Sequence, residues 1–273
     1  MKNIALGQFY PSNSVLHRAD PRIKIIIALL LIVTSFLCDS ILSFGALLLT
    51  MAIITAISKI PVKIIFRAIR PLMIILVFTM LINLFWTQGE QKLFSFWIIT
   101  VYAEGVRSAV FMLIRIFSLV MASTILITYT TTPIALTDAI ESLLSPLKKI
   151  KVPVHDFAMM MTIAFRFIPT LVDETEKIMA AQKARGADFS SGSLMKRAKA
   201  LIPILIPLFV SAFRRADDLA VAMECRCYRG GEGRTRLKAL KCRGSDVVWL
   251  MVSIAVCAGI VLLNYVNLGI SLF

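Results

Sequence analysis

The chain has 273 residues, 58% of them hydrophobic, and a mean hydropathy of +0.83. That apolar share exceeds the roughly 45–50% usual for a soluble domain, so the composition excludes a water-soluble globular protein and predicts an all-α integral membrane protein. The formal charge of +14 is unevenly placed: residues 148–243 hold 19 of the 30 Lys and Arg but only 9 of the 16 Asp and Glu, a net +10.

The first twenty residues do not read as a signal peptide. The apolar run begins only after His17, Arg18, Arg22 and Lys24, and no small-residue cleavage site follows it. Asp20-Pro21 reads as an N-cap followed by a proline suited to the first helical position, opening a span over Ile23–Leu37. Cys38-Asp39-Ser40 turns the chain into a second run, Ile41–Ile57, and a loop carrying Lys59, Lys63, Arg67 and Arg70 leads to a third, Pro71–Trp86. The following connection holds Phe94, Phe96, Trp97 and Tyr102, aromatics that suit a partly embedded interfacial layer. A fourth span, Gly105–Ile127, ends at Thr130-Thr131-Thr132-Pro133.

Lys and Arg crowd the N-terminal segment and the loop after the second span, whereas Cys38–Ser40 has none. The positive-inside rule then sets the N-terminus in the cytoplasm. Residues 1–133 form a membrane domain of four spans, residues 134–245 a long basic cytoplasmic domain with two long helices, and residues 246–273 a last span centred on Val247–Leu263. Five spans result, or six if Leu201–Val210, which Pro203 and Pro207 are expected to kink, enters the bilayer instead of lying along its surface. Arg115 is the conspicuous charge within a span. It is either functional or a residue that snorkels or binds backbone.

The cytoplasmic region carries two long helical patterns. Phe157, Met161, Ala164, Ile168, Leu171, Thr175, Ile178 and Gln182 recur at steps of four and three, and Arg185 continues the row, which spans roughly 42 Å. Gly186 supplies a left-handed C-cap. Phe209, Phe213, Ala216, Ala220 and Met223 repeat the spacing and lead to Cys225-Arg226-Cys227. Each helix thus ends in an arginine between small residues, which let a backbone approach while the guanidinium offers five donors. Taken singly, either arginine also serves as an ordinary basic residue complementing a helix dipole; the duplication favours a plug that enters a partner's groove. Asp173 and Glu174 precede Arg185 by 12 and 11 residues, and Arg214 and Arg215 precede Arg226 by the same distances, so ion pairs at a helix crossing would fix the spacing of the two tips.

No phosphate-binding G-x-x-x-x-G-K-[ST], no H-E-x-x-H and no G-x-S-x-G occurs, and His17 and His155 have no companions spaced as ligands or bases. An enzyme is not expected, nor a cofactor, a metal or a nucleic-acid partner. The C-x-C spacing of Cys225 and Cys227, with Cys242 beyond, fits small residues in a reducing compartment better than a metal site. A membrane scaffold without a transport role and a stand-alone secondary transporter using Arg115 stay open as readings.

Gly7-Gln8-Phe9-Tyr10-Pro11, His17-Arg18-Ala19-Asp20-Pro21-Arg22, Arg166-Phe167-Ile168-Pro169, Ala181-Gln182-Lys183-Ala184-Arg185-Gly186 and Ala222-Met223-Glu224-Cys225-Arg226-Cys227-Tyr228-Arg229-Gly230 together resemble the transmembrane T component of energy-coupling factor (ECF) transporters. The resemblance covers nearly the whole chain. It implies an ABC-type importer of vitamins or other micronutrients. In it this subunit scaffolds two cytoplasmic ATPases, which bind ATP and Mg, and a separate small substrate-binding membrane protein. It further implies that Ala184-Arg185-Gly186 and Cys225-Arg226-Cys227 end two crossing helices that dock in the ATPases. Cysteines at 225 and 227 depart from the Ala and Gly that the family favours, and Cys227 is expected to postpone the left-handed cap to Gly230-Gly231. The N-terminal sequence resembles the T components shared among several substrate-binding proteins more than the dedicated cobalt or nickel type.

Overall fold

A computed structural model describes residues 9–87, 92–96, 99–189, 193–230, 240 and 242–265. Their contacts divide into two units, one within Ile140–Ala239 and one within Gly7–Ala139 and Leu240–Phe273.

The second of these is a helical bundle. Asp20 caps α2 (Pro21–Leu37), its carboxylate accepting the Arg22 N–H at 2.9 Å, with Pro21 at the first helical position. Ile23, Ile27, Ala28 and Leu31 bury one stripe of α2, and Phe44, Leu47 and Met51 bury the matching stripe of α3 (Ile41–Ser58). Both pack against α6 (Ala103–Ser123) and α10 (Gly244–Tyr265), which contributes Cys257 and Ile260. Threonines inside these apolar helices return their hydroxyls to carbonyls four residues back, as Thr34 does to Leu30 and Thr50 to Ala46. That keeps the polar atoms satisfied where water is absent.

Four helical stretches among the described residues are long and apolar enough to cross a membrane: Ile41–Ser58, Val62–Trp86, Ala103–Tyr129 and Gly244–Asn264. Helix α2, 17 residues long, is slightly shorter than these. The expected loop at Lys59–Arg70 is instead largely helical. After Pro61 the chain forms α4 (Val62–Ile69), a 3-10 turn at Arg70–Leu72 and α5 (Met73–Trp86). Ile65 and Ile69, four apart, bury one face of α4, and this amphipathic spacing outweighs the local charge density. The aromatic connection contains an antiparallel hairpin of β1 (Lys92–Phe96) and β2 (Ile99–Tyr102); Trp97 lies outside the described residues.

Arg115 closes the far end of α2. Its guanidinium donates to the Ser35 and Cys38 carbonyls at 3.2 and 2.9 Å, approaches Asp39 at 3.5 Å and covers the Phe44 ring. Asn264 of α10 completes that corner, accepting from the Asp39 and Ser40 N–H groups and the Ser43 hydroxyl and donating to the Leu37 carbonyl.

At the opposite end, α6 runs into a π-helical turn, Thr124–Tyr129. Wide turns free backbone acceptors, and N-terminal residues take them up. The Tyr10 N–H donates to the Tyr129 carbonyl at 3.0 Å, and the buried Lys24 ammonium donates to the carbonyls of Thr130 at 2.9 Å and His17 at 3.3 Å. His17, in the short α1 (Val15–Arg18), meets the Tyr10 carbonyl at 2.9 Å and the Ser14 hydroxyl at 2.7 Å. Burial lowers its pKa, against the upward pull of the Tyr10 carbonyl. The N-terminal motifs therefore fasten the exit of α6.

Candidate coupling site

The other unit is built on α8 (Val154–Ala184) and α9 (Leu194–Cys225), preceded by α7 (Pro133–Leu143) and a 3-10 segment, Ser145–Ile150. Pro169 in α8 and Pro203 and Pro207 in α9 interrupt neither helix, so the expected separate element at Leu201–Val210 is an internal part of α9. Each proline removes one N–H donor, a loss that the 31- and 32-residue helices absorb within their remaining ladders.

Both helices end in the same geometry. At Arg185, Gly186 takes φ +86°, its N–H donates to the Lys183 carbonyl at 3.0 Å, and the Ala187 N–H donates to the Gln182 carbonyl at 3.0 Å. At Arg226, Cys227 takes φ +54°, its N–H donates to the Glu224 carbonyl at 2.8 Å, and the Tyr228 N–H donates to the Met223 carbonyl at 3.0 Å. These are paired Schellman closures. The cap is not postponed to Gly230-Gly231: Cys227 itself adopts the left-handed conformation, because the two hydrogen bonds that close α9 require it there. A side chain in that region costs about 1–2 kcal/mol relative to glycine. Arg185 and Arg226 occupy the C-cap positions, and both are exposed, as are Ala184, Gly186, Cys225 and Cys227.

The helices run in opposite senses where they touch. Glu174 meets Arg215 at 2.6 Å, while nearer the start of α8 the Met159 sulfur accepts the Tyr228 hydroxyl at 2.9 Å. The Arg215 guanidinium also reaches the Ser211 hydroxyl at 3.4 Å. A hydrogen bond from Ser211, and after it the Arg215 guanidinium, hold the Glu174 carboxyl below the usual carboxylate range against the opposing effect of burial. Asp173 and Arg214 are exposed, and among the described residues no ion pair joins them. An apolar groove of about 240 Å³ lies along the contact, bordered by Ile163, Phe167 and Leu171 of α8 and by Ala216, Leu219 and Met223 of α9.

Of the expected α8 row, Leu171 borders this groove, whereas Phe157, Ala164 and Arg185 are exposed. A row that repeats every 3.5 residues drifts by about 20° per heptad around a 3.6-residue helix, so it cannot hold one face over four heptads. In α9, Phe209 and Phe213 likewise point outward.

His155 has a companion that no spacing rule revealed: its Nδ1 lies 2.9 Å from the Glu141 carboxylate, with α7, the 3-10 segment and the start of α8 folding the two together. Among the described residues no three His, Cys, Asp or Glu side chains gather as a metal site would require.

The bundle and the paired helices define an α-helical integral membrane protein that carries, besides its apolar helices, two long clasped helices with exposed arginine tips. A family model described as cobalt transport protein (CbiQ) matches residues 12–237. Among similar chains, the energy-coupling factor transporter transmembrane protein EcfT of Ruminiclostridium cellulolyticum is 51% identical over 266 residues, 97% of this chain and 99% of that one. Those of Acidaminococcus fermentans and Lactococcus lactis subsp. cremoris are 52% and 46% identical, covering 99% and 94% of this chain and 99% and 96% of their own. The chain belongs to this family: it is the transmembrane component of an energy-coupling factor transporter.

Proposed function

We propose that this chain couples two cytoplasmic ATPases to a separate small membrane protein that binds a vitamin or another micronutrient, the ATPases holding the ATP and Mg. One observation carries the reading: two identically closed helix ends, each presenting an exposed arginine, belong to helices that run in opposite senses through one clasp. Arg185 and Arg226 each lie 11 residues beyond the Glu174–Arg215 pair. At about 1.5 Å per residue each tip stands roughly 17 Å from the clasp, on opposite sides of it, so the two tips lie at most roughly 35 Å apart. Such tips suit two receiving grooves rather than one.

Exposed apolar side chains on α9, among them Ile202, Ile206, Phe209 and Phe213, offer a surface to the substrate-binding membrane protein or to lipid. The orientation follows from charge: the basic region that holds both tips faces the cytoplasm, with several spans anchoring it. The secondary-transporter reading loses its main residue, since Arg115 is engaged with α2 carbonyls.

The test is replacement of both arginines, Arg185→Ala with Arg226→Ala. Charged hydrogen bonds of about 1.5–3 kcal/mol each would be lost at both docking points, so the inserted protein should no longer retain ATPases in mild detergent, and uptake should fall to background. Either change alone should do less. Intact complexes with full uptake in the double variant would refute the reading.

A further inference from the structure

A cavity of about 260 Å³ lies in the membrane bundle where the N-terminal segment meets the start of α10. Arg18 and Asn13 line it from one side and Arg243, Ser245, Asp246 and Trp249 from the other. Segments more than two hundred residues apart thus bring two guanidiniums to one partly open pocket. Among the described residues neither has a carboxylate within ion-pair distance, and both are exposed. The one acid in the wall does not answer them. Asp246 is buried, and its carboxylate accepts the Arg243 backbone N–H at 3.0 Å. The surplus charge facing the cavity is therefore positive, with the Ser245 hydroxyl and Asn13 amide as further donors.

The surroundings decide what kind of anion fits. Trp249 forms the apolar wall one turn into α10, and next to it Val248, Met251 and Val252 are exposed along a helix apolar enough to cross a membrane. Tryptophan marks the membrane–water interface, and an anion held here has a lipid-facing helix flank beside it. We infer that the cavity binds the phosphate-bearing headgroup of an anionic phospholipid, Arg18 and Arg243 taking its oxygens while the acyl chains lie along α10. The site is independent of the coupling function.

The test uses the full chain with Trp86→Phe and Trp97→Phe, so that Trp249 is the sole indole. It is reconstituted in phosphatidylcholine bilayers containing a small fraction of phosphatidylglycerol brominated on its acyl chains. Quenching of Trp249 should exceed that expected from the bulk lipid ratio. Arg18→Gln with Arg243→Gln should lower the preference for phosphatidylglycerol roughly tenfold or more, the scale of two basic side chains at an anionic surface. Arg18→Lys with Arg243→Lys should retain part of it, which separates charge from fold. Inorganic phosphate at millimolar concentration should not relieve the quenching. Bulk-ratio quenching in the starting chain, or an unchanged preference in the Gln variant, would overturn the site. Relief by inorganic phosphate would overturn the lipid assignment in favour of a free anion.

Discussion

At Cys227 one residue holds a conformation that its type disfavours. The Ala-Arg-Gly pattern made the first tip legible, because glycine after arginine both suits and announces a left-handed cap. The second tip was legible only to Arg226. What places the cap at Cys227 is the pair of hydrogen bonds from Cys227 and Tyr228 to the Glu224 and Met223 carbonyls, and closure chemistry of that kind leaves no signature in residue type. Cys227→Gly should therefore stabilise the end of α9 by about 0.5–1 kcal/mol, whereas Gly186→Ala, at φ +86°, should weaken the end of α8 by about 1–2 kcal/mol. Hydrogen exchange of the last-turn amides, slower in the first variant and faster in the second, checks both. Arg115 makes the complementary point: its presence in a span was evident, but its partners Ser35 and Cys38 lie some 80 residues away. Arg115→Met leaves those carbonyls without their cation and should cost about 2–3 kcal/mol in unfolding experiments, with the coupling tips unaffected.

Among the elements, apolar runs and charge punctuation located the helices α2, α3, α5, α6 and α10 to within a few residues. The errors share one cause, which is reading composition where periodicity decided. Four charges between Lys59 and Arg70 suggested a loop, yet Ile65 and Ile69 four residues apart define a helix face. The apolar stretch Leu201–Val210, with its two prolines, suggested an element of its own, yet it lies inside a single 32-residue helix. The helix clasp was legible as two charge pairs at matched distances from the tips, but which pair meets depends on helix rotation, and among the described residues Glu174 and Arg215 form the pair that touches. Exchanging the pair, Glu174→Arg with Arg215→Glu, should restore uptake that either single reversal lowers severalfold; no recovery in the exchanged protein would remove the clasp from the account. The carboxylate also sets a pH response. Its pKa is depressed in the folded protein, so the contribution is present above the unfolded value of about 4.3 and is lost as pH falls through the lower folded value. Contact between α8 and α9 should thus persist at neutral pH and loosen only in strong acid, and Glu174→Gln should abolish that acid-dependent step in a spectroscopic titration of a probe on α9.

For the whole molecule, the sense of the helix pair matters most. Both rows ended in arginine, which located the tips, but spacing alone could not tell whether the two arginines stand side by side or apart. The opposed register, Met159 with Tyr228 and Glu174 with Arg215, places them on opposite sides of the clasp. On the proposed coupling function, two tips held apart on one clasped pair would report on two ATPases at once, and a change in the distance between them would be felt as torque at the clasp. The most direct measurement replaces Arg185 or Arg226, one at a time, by a photo-crosslinking amino acid in the assembled transporter and identifies the protein captured by each. The two positions should capture different nucleotide-binding subunits, each through a single groove. Capture of the same subunit by both positions, or of lipid alone in a complex shown to be intact, would contradict a coupling unit that works through two separated plugs.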